Sequence, residues 1–324
     1  MARRAPTPAG ARDRSAIESR GACRSAWTAS AAAALAVLSG GAAADPPPTS
    51  GSPAQSTPPS GSAGLESVTI EARRHRELIE RQISAFVSSI TIPFRDESLA
   101  RWQVPICPMV DGLTQNQGEF VLARLSQVAR DAGIPLAPQD CKAANFIVIV
   151  TRKPDALLQR WWAHNPRLFN TDRGVGGIKR FIGSAQPVRA WYNAFSSCPG
   201  GAMPFDIGGG PMCSNGGLGS RLTWEVVRVV ESVIVVVDAE RITGFNLGQV
   251  TDYIAMLGLA QIREHAKPGA APTILHLFAD TPAARLEGLS TWDQAFLRAL
   301  YHTDSGLVMQ RAEINLLMDR DLVP

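Results

Sequence analysis

The chain is 324 residues long, with 32 Lys+Arg, 29 Asp+Glu and a formal net charge of +3. Six of the basic and two of the acidic residues fall in the first 44, leaving 26 against 27 beyond them. That near-neutral remainder argues against nucleic acid as a partner, and it is long enough for a sizeable core in one large domain or two small ones.

The N-terminal stretch is basic and then apolar: Arg3, Arg4, Arg20 and Arg24 precede the uncharged run Ala26 to Leu38. Ala42, Ala43 and Ala44 ahead of Asp45 supply the small side chains that a signal peptidase accepts, so residues 1–44 read as a signal peptide. A run of 13 residues falls short of the roughly twenty that a bilayer-spanning helix needs, so no integral membrane anchor is expected. Residues 45–65 are dominated by Pro, Ser, Gly, Thr and Ala and read as a disordered linker. Residues 66–324 then form the globular region, with a sub-boundary expected near 196–218.

Within that region Glu66 to Ile90 predicts an amphipathic helix, with Ile70, Leu78, Ile79, Ile83, Phe86 and Val87 on its apolar stripe. Arg101 to Val110 reads extended. Gln115 to Asp131 predicts a second helix, which Gly133 and Pro135 stop. Phe146 to Val150 is an unbroken apolar run suited to a strand buried on both faces. Pro154 opens a short helix through Trp162, in which Leu157 and Leu158 stand at helical spacing from Trp161 and Trp162, so at least one indole packs inward. Arg189 to Phe195 predicts a strand, 196–218 a glycine-rich loop, and Leu222 to Val230 and Ser232 to Asp238 two more strands. Helices follow over Leu247 to Ala260, Ser290 to Tyr301 and Gly306 to Met318. The expected fold is α/β or α+β, a mixed sheet with flanking helices and a helical C-terminus.

Beyond the signal peptide four cysteines remain, and in an oxidising compartment disulfides are the default. Three pairings are open. Cys107 with Cys141 is preferred because both adjoin apolar, strand-like runs, and Cys198 with Cys213 then closes the glycine-rich loop at a gain of about 3 kcal/mol. A zinc cluster is the competing reading, but no two of the four have C-x-x-C spacing.

Known catalytic signatures are missing: there is no G-x-S-x-G elbow and no S-x-x-K, and Ser196, Ser197, Ser214 and Ser220 suit turn chemistry in and around the loop. The segment Asp172 to Arg180 invites a phosphate-cradle reading, yet its spacing fits neither the P-loop nor the dinucleotide fingerprint, so a turn before a short helix is the better account. His75, His164, His265, His276 and His302 show no ligand spacing. Arg189, Trp191 and Tyr192 are the candidate ligand surface, because alternation in a strand turns one aromatic inward and the other outward beside a cation.

One helix carries a family resemblance. Met256-Leu257-Gly258-Leu259 is similar to the A-L-G-L tail that follows H-E-x-x-H in zinc peptidases, where two imidazoles at i and i+4 hold the metal and the glutamate is general base. The downstream segment LSTWDQAFLRALYHTD resembles L-T-x-x-D-x-x-x-L-x-x-L-Y of uncharacterised secreted proteobacterial proteins with a zincin-like domain. Together these cover roughly 230–318. The resemblance implies a degenerate zincin-like frame in the C-terminal part, and its alignment places Thr251 and Ala255 at the histidine positions, Asp252 at the glutamate and Gln261 at a third ligand. Threonine and alanine cannot hold zinc there, so no cofactor is expected. The leading expectation is a non-catalytic periplasmic or secreted binding or scaffold protein whose partner is an unidentified envelope protein or small ligand. The alternative is an envelope hydrolase with dispersed catalytic residues, which a cleft lined by two histidines and a carboxylate would favour.

Overall fold

A computed structural model describes residues 62–92, 98–169, 173–198, 201–206, 211–213, 226–279, 285–303 and 307–323. The expected signal peptide, and the expected linker up to Gly61, lie outside the described residues. Seven helices are described: α1 (Ser62–Ile90), α2 (Gln115–Asp131), α3 (Pro154–His164), α4 (Gly174–Ile182), α5 (Leu247–Leu259), α6 (Thr291–His302) and α7 (Leu307–Leu322). The strands are β1 (Arg101–Trp102), β2 (Pro108–Asp111), β3 (Phe146–Thr151), β4 (Val188–Ser197), β5 (Phe205–Asp206), β6 (Pro211–Met212) and β7 (Val227–Asp238).

The sheet is built around β7, whose twelve residues are almost all buried. One edge of β7 takes β1 and then β3 in parallel, at Val229–Val230 and Val233–Asp238, and β2 continues the sheet in parallel beyond β3. Its other edge pairs antiparallel with β4 along ten residues. The β4 register shifts between Asn193 and Ala194, which face Ser232 and Val230, so the exposed Glu231 is the extra residue of a bulge. Two strands were expected over Leu222 to Asp238. The described part is one strand, because a bulge absorbs the break in alternation without ending the ladder.

Both faces of the sheet are covered, which explains the β-branched runs. Val233, Val235 and Val237 point into a large core completed by α1, α2, α5, α6 and α7. Ile234 and Val236 point the other way, into a smaller core with Leu158 of α3, Phe181 of α4, Phe169 and Trp191. Trp161 and Trp162 are partly buried against this smaller core, and Trp162 meets Phe169 edge-on at 6.1 Å. Capping boxes start α2 at Thr114 and Gln117, α5 at Asn246 and Gln249, and α6 at Ser290 and Asp293.

In α1 only the last turns are core. Ile83, Phe86, Val87 and Ile90 are buried, and Phe86 meets Trp292 and Phe296 edge-on. Ile70 and Leu78, expected on the apolar stripe, are about half exposed. Two disulfides are present: Cys107–Cys141 joins the start of β2 to the segment before β3, and Cys198–Cys213 closes the loop that holds the β5–β6 pair. The segment expected as a sub-boundary thus leaves from β4 and, with residues 214–225 outside the description, returns to its partner β7. Among the described residues no helix is long and apolar enough to cross a membrane.

Candidate functional site

Among the described residues β4 is an edge strand of the sheet, and a cavity of about 620 Å³ opens beside it. Its walls are β4, α4, the face of α5 carrying Tyr253 and Leu257, and the segment from Ile262 to Ala279. The parts are tied together by buried hydrogen bonds. The Tyr192 hydroxyl on β4 donates to the Leu257 carbonyl of α5 at 2.7 Å, and burial pushes that phenol upward from its usual range. After α5 the chain is pinned to the end of α1, where the Arg263 amide donates to the Ile90 carbonyl at 2.7 Å and its guanidinium to the Thr91 carbonyl at 2.9 Å.

Tyr253 and Leu257 stand one helical turn apart and line the floor with Phe278, whose ring lies edge-on to Tyr253 at 4.8 Å. Burial pushes the Tyr253 phenol up to about 12. The upper wall is cationic. Arg173, Arg180, Arg189, Arg263 and Lys267 line the cavity, against Glu264 as the only carboxylate among the described residues. Arg189 is spent inside the fold, donating to the Ile182 carbonyl at 2.6 Å and pairing with Asp155 at 2.6 Å. Arg173 lies over the rings of Trp191 and Tyr192, its guanidinium carbon 6.0 and 5.8 Å from their centroids. Gly177 makes room for this, because a Cβ there would sit 2.7 Å from the Arg173 Cβ. Burial pulls the Arg173 pKa down. At the mouth His265 adopts a left-handed backbone, φ 56°, and its Nδ1 lies 2.7 Å from the Gln186 amide nitrogen.

All three residues of the candidate ligand surface, Arg189, Trp191 and Tyr192, line this cavity. The two aromatics do point to opposite faces, Trp191 into the smaller core and Tyr192 into the larger, but neither is exposed. Helices cover both faces of the sheet, so alternation here chooses between two cores instead of between core and solvent. Of the histidines, His265 and His276 share the cavity. His75 is exposed elsewhere, and His164 and His302 are exposed with Nδ1 beside the Arg160 and Arg298 carbonyls. Among the described residues no three His, Cys, Asp or Glu side chains are grouped to hold a metal ion. Ser214 and Ser220 lie outside the described residues, and Ser196 and Ser197 are the last residues of β4.

Of the positions that the zincin-like alignment singled out, Thr251, Ala255 and Asp252 are packed or bonded within the fold, and Gln261 is partly buried just after α5. Thr251 and Ala255 are fully buried, and the Thr251 hydroxyl bonds its own helix at the Leu247 carbonyl. Asp252 is held by both guanidinium arms of Arg124, at 2.6 and 2.7 Å, and by the Leu289 amide. Gly258 packs on the Phe146 ring. Asp293, within the downstream segment, accepts from Ile274 N and from Ser290 and caps α6. Sequence reasoning missed Tyr253 and Arg173. The signal for Tyr253 is that it is the one aromatic side chain of α5, whereas nothing in the sequence brings Arg173 to β4.

No family model matches the chain, and neither curated proteins nor solved structures give a match.

Proposed function

We propose that this chain acts, after loss of its signal peptide, as a non-catalytic periplasmic or secreted binding protein, on a zincin-like frame, with the cavity beside β4 as its ligand site. One observation carries the reading. The helix that follows the central strand turns two side chains one turn apart into the cavity, the spacing that suits a pair of metal-binding imidazoles, and those side chains are Tyr253 and Leu257. Leucine offers no donor, and a phenol that burial holds protonated is a poor metal ligand. A half-open, mixed apolar and cationic hollow suits reversible binding of a small molecule. The two disulfides support an oxidising location.

Elemental analysis of the processed protein, together with a thermal-shift screen of small organic compounds, tests this. The expected result is no stoichiometric zinc and stabilisation by ligands whose effect Leu257→Trp, which fills the floor, abolishes. Zinc bound one to one, removed by a chelator together with hydrolytic turnover, would sink the proposal.

The hydrolase alternative is favoured by the one feature expected of it, a cleft lined by two histidines and a carboxylate, here His265, His276 and Glu264. Of these, His265 Nε2 stands 3.8 Å from Glu264 while its Nδ1 faces Gln186. If the alternative holds, His265→Ala abolishes a hydrolytic activity that the wild type shows. Unchanged behaviour favours binding.

A further inference from the structure

Resting on the binding reading above, we infer that the ligand is an organic carboxylate with a flat apolar body, its carboxylate received by Arg173 and its body lying on Tyr253, Leu257 and Phe278. Arg173 lines the cavity, yet its Nη2 is buried and has no hydrogen-bond acceptor among the described residues. A buried guanidinium nitrogen without an acceptor is costly, and an entering oxyanion supplies what the protein does not. The side chain is already fixed: the rings of Trp191 and Tyr192 lie beneath it, and Gly177 leaves the space that its stem occupies. A planar fork held in one orientation matches the planar, two-oxygen face of a carboxylate.

The rest of the lining agrees in sign and polarity. Arg180, Arg263 and Lys267 add positive charge around the cavity, and among the described residues none of them is ion-paired to a carboxylate. The field at the opening therefore attracts anions. Inorganic phosphate alone would leave the floor of Tyr253, Leu257 and Phe278 uncovered, so an apolar body is part of the match.

The probes are 1-naphthoate and its neutral isostere 1-naphthamide, titrated into the mature protein with the Trp191 indole N–H followed by nuclear magnetic resonance. For the wild type the naphthoate should bind about tenfold or more tightly than the amide, as a charge-assisted pair outweighs a neutral one. Arg173→Met should bring that ratio near one, and Arg173→Lys should restore part of it. Circular dichroism checks that both variants fold; should the methionine variant fail to fold, the wild-type ratio and the lysine variant decide. Equal affinity for the two probes overturns the carboxylate inference and leaves the cavity a binding site. Inorganic phosphate competing as well as naphthoate overturns the carboxylate and its apolar body. If neither probe moves the Trp191 signal, the inference fails and the binding reading fails with it.

Discussion

A methyl group at position 258 has nowhere to go: a Cβ on Gly258 would lie 2.0 Å from the Phe146 ring. That ring is fully buried and stacked on Trp102 at 6.1 Å, while the Trp102 indole N–H donates to the Gly258 carbonyl at 2.9 Å. Gly258→Ala should therefore cost about 2–3 kcal/mol by overpacking, read as a lowered midpoint of urea unfolding. An unchanged midpoint would show that the helix can shift off β3. At this scale the sequence was legible where a residue is defined by its own neighbours in the chain. Ser290 and Pro154 are local signals, and both stand at helix starts. Arg173 was not legible, because its role comes from Trp191 and Tyr192 on another element. The inward turn of Thr251 and Ala255 was hidden for a different reason: every residue from Val250 to Leu259 is buried, so this part of α5 has no solvent-facing side from which periodicity could fix its rotation.

Among the elements, the two disulfides constrain loops of different size, 34 and 15 residues in separation. In the chain-entropy model the first is worth about 4 kcal/mol and the second about 3 kcal/mol. Replacing the pair Cys107 and Cys141 with serine should thus lower the thermal midpoint more than replacing Cys198 and Cys213, as measured by calorimetry on both double variants. The reverse order would mean that the glycine-rich segment holds β4 and β7 together. Most elements were legible because their stops are local: α2 matches its expected span residue for residue, and Gly133, at φ 80°, ends it. The β5–β6 pair was not, since each strand has only two residues, too short for any periodicity to register.

For the molecule as a whole, the sheet shares its strands between two cores, and of the three tyrosines of the chain Tyr192 and Tyr253 are buried and Tyr301 is partly buried against the larger core. Desolvation pushes each phenol above its ordinary value, Tyr253 to about 12. The unfolded chain releases these protons near pH 10 while the folded one keeps them, so stability falls as pH rises from about 10 towards 12. Ultraviolet titration should show no phenolate signal near pH 10 and then a single cooperative rise that coincides with loss of circular dichroism. A separate step near pH 10 would mean that at least one ring is wetter than its burial indicates. The α/β layering was legible in the valine-rich runs, but the placement of the cavity was not. It depends on which edge strand runs antiparallel, and that is a property of the assembled sheet.

The bulge at Glu231 also makes this strand tolerant of shortening at one point only. Val230 and Val233 face the same core despite their odd spacing, because Glu231 is looped out between them. Deleting Glu231 leaves every valine facing as before, whereas removing Val235 would turn the residues on one side of it inside out. Expression of the two single-residue deletions as soluble, disulfide-bonded protein should separate them, with the first folded and the second aggregated.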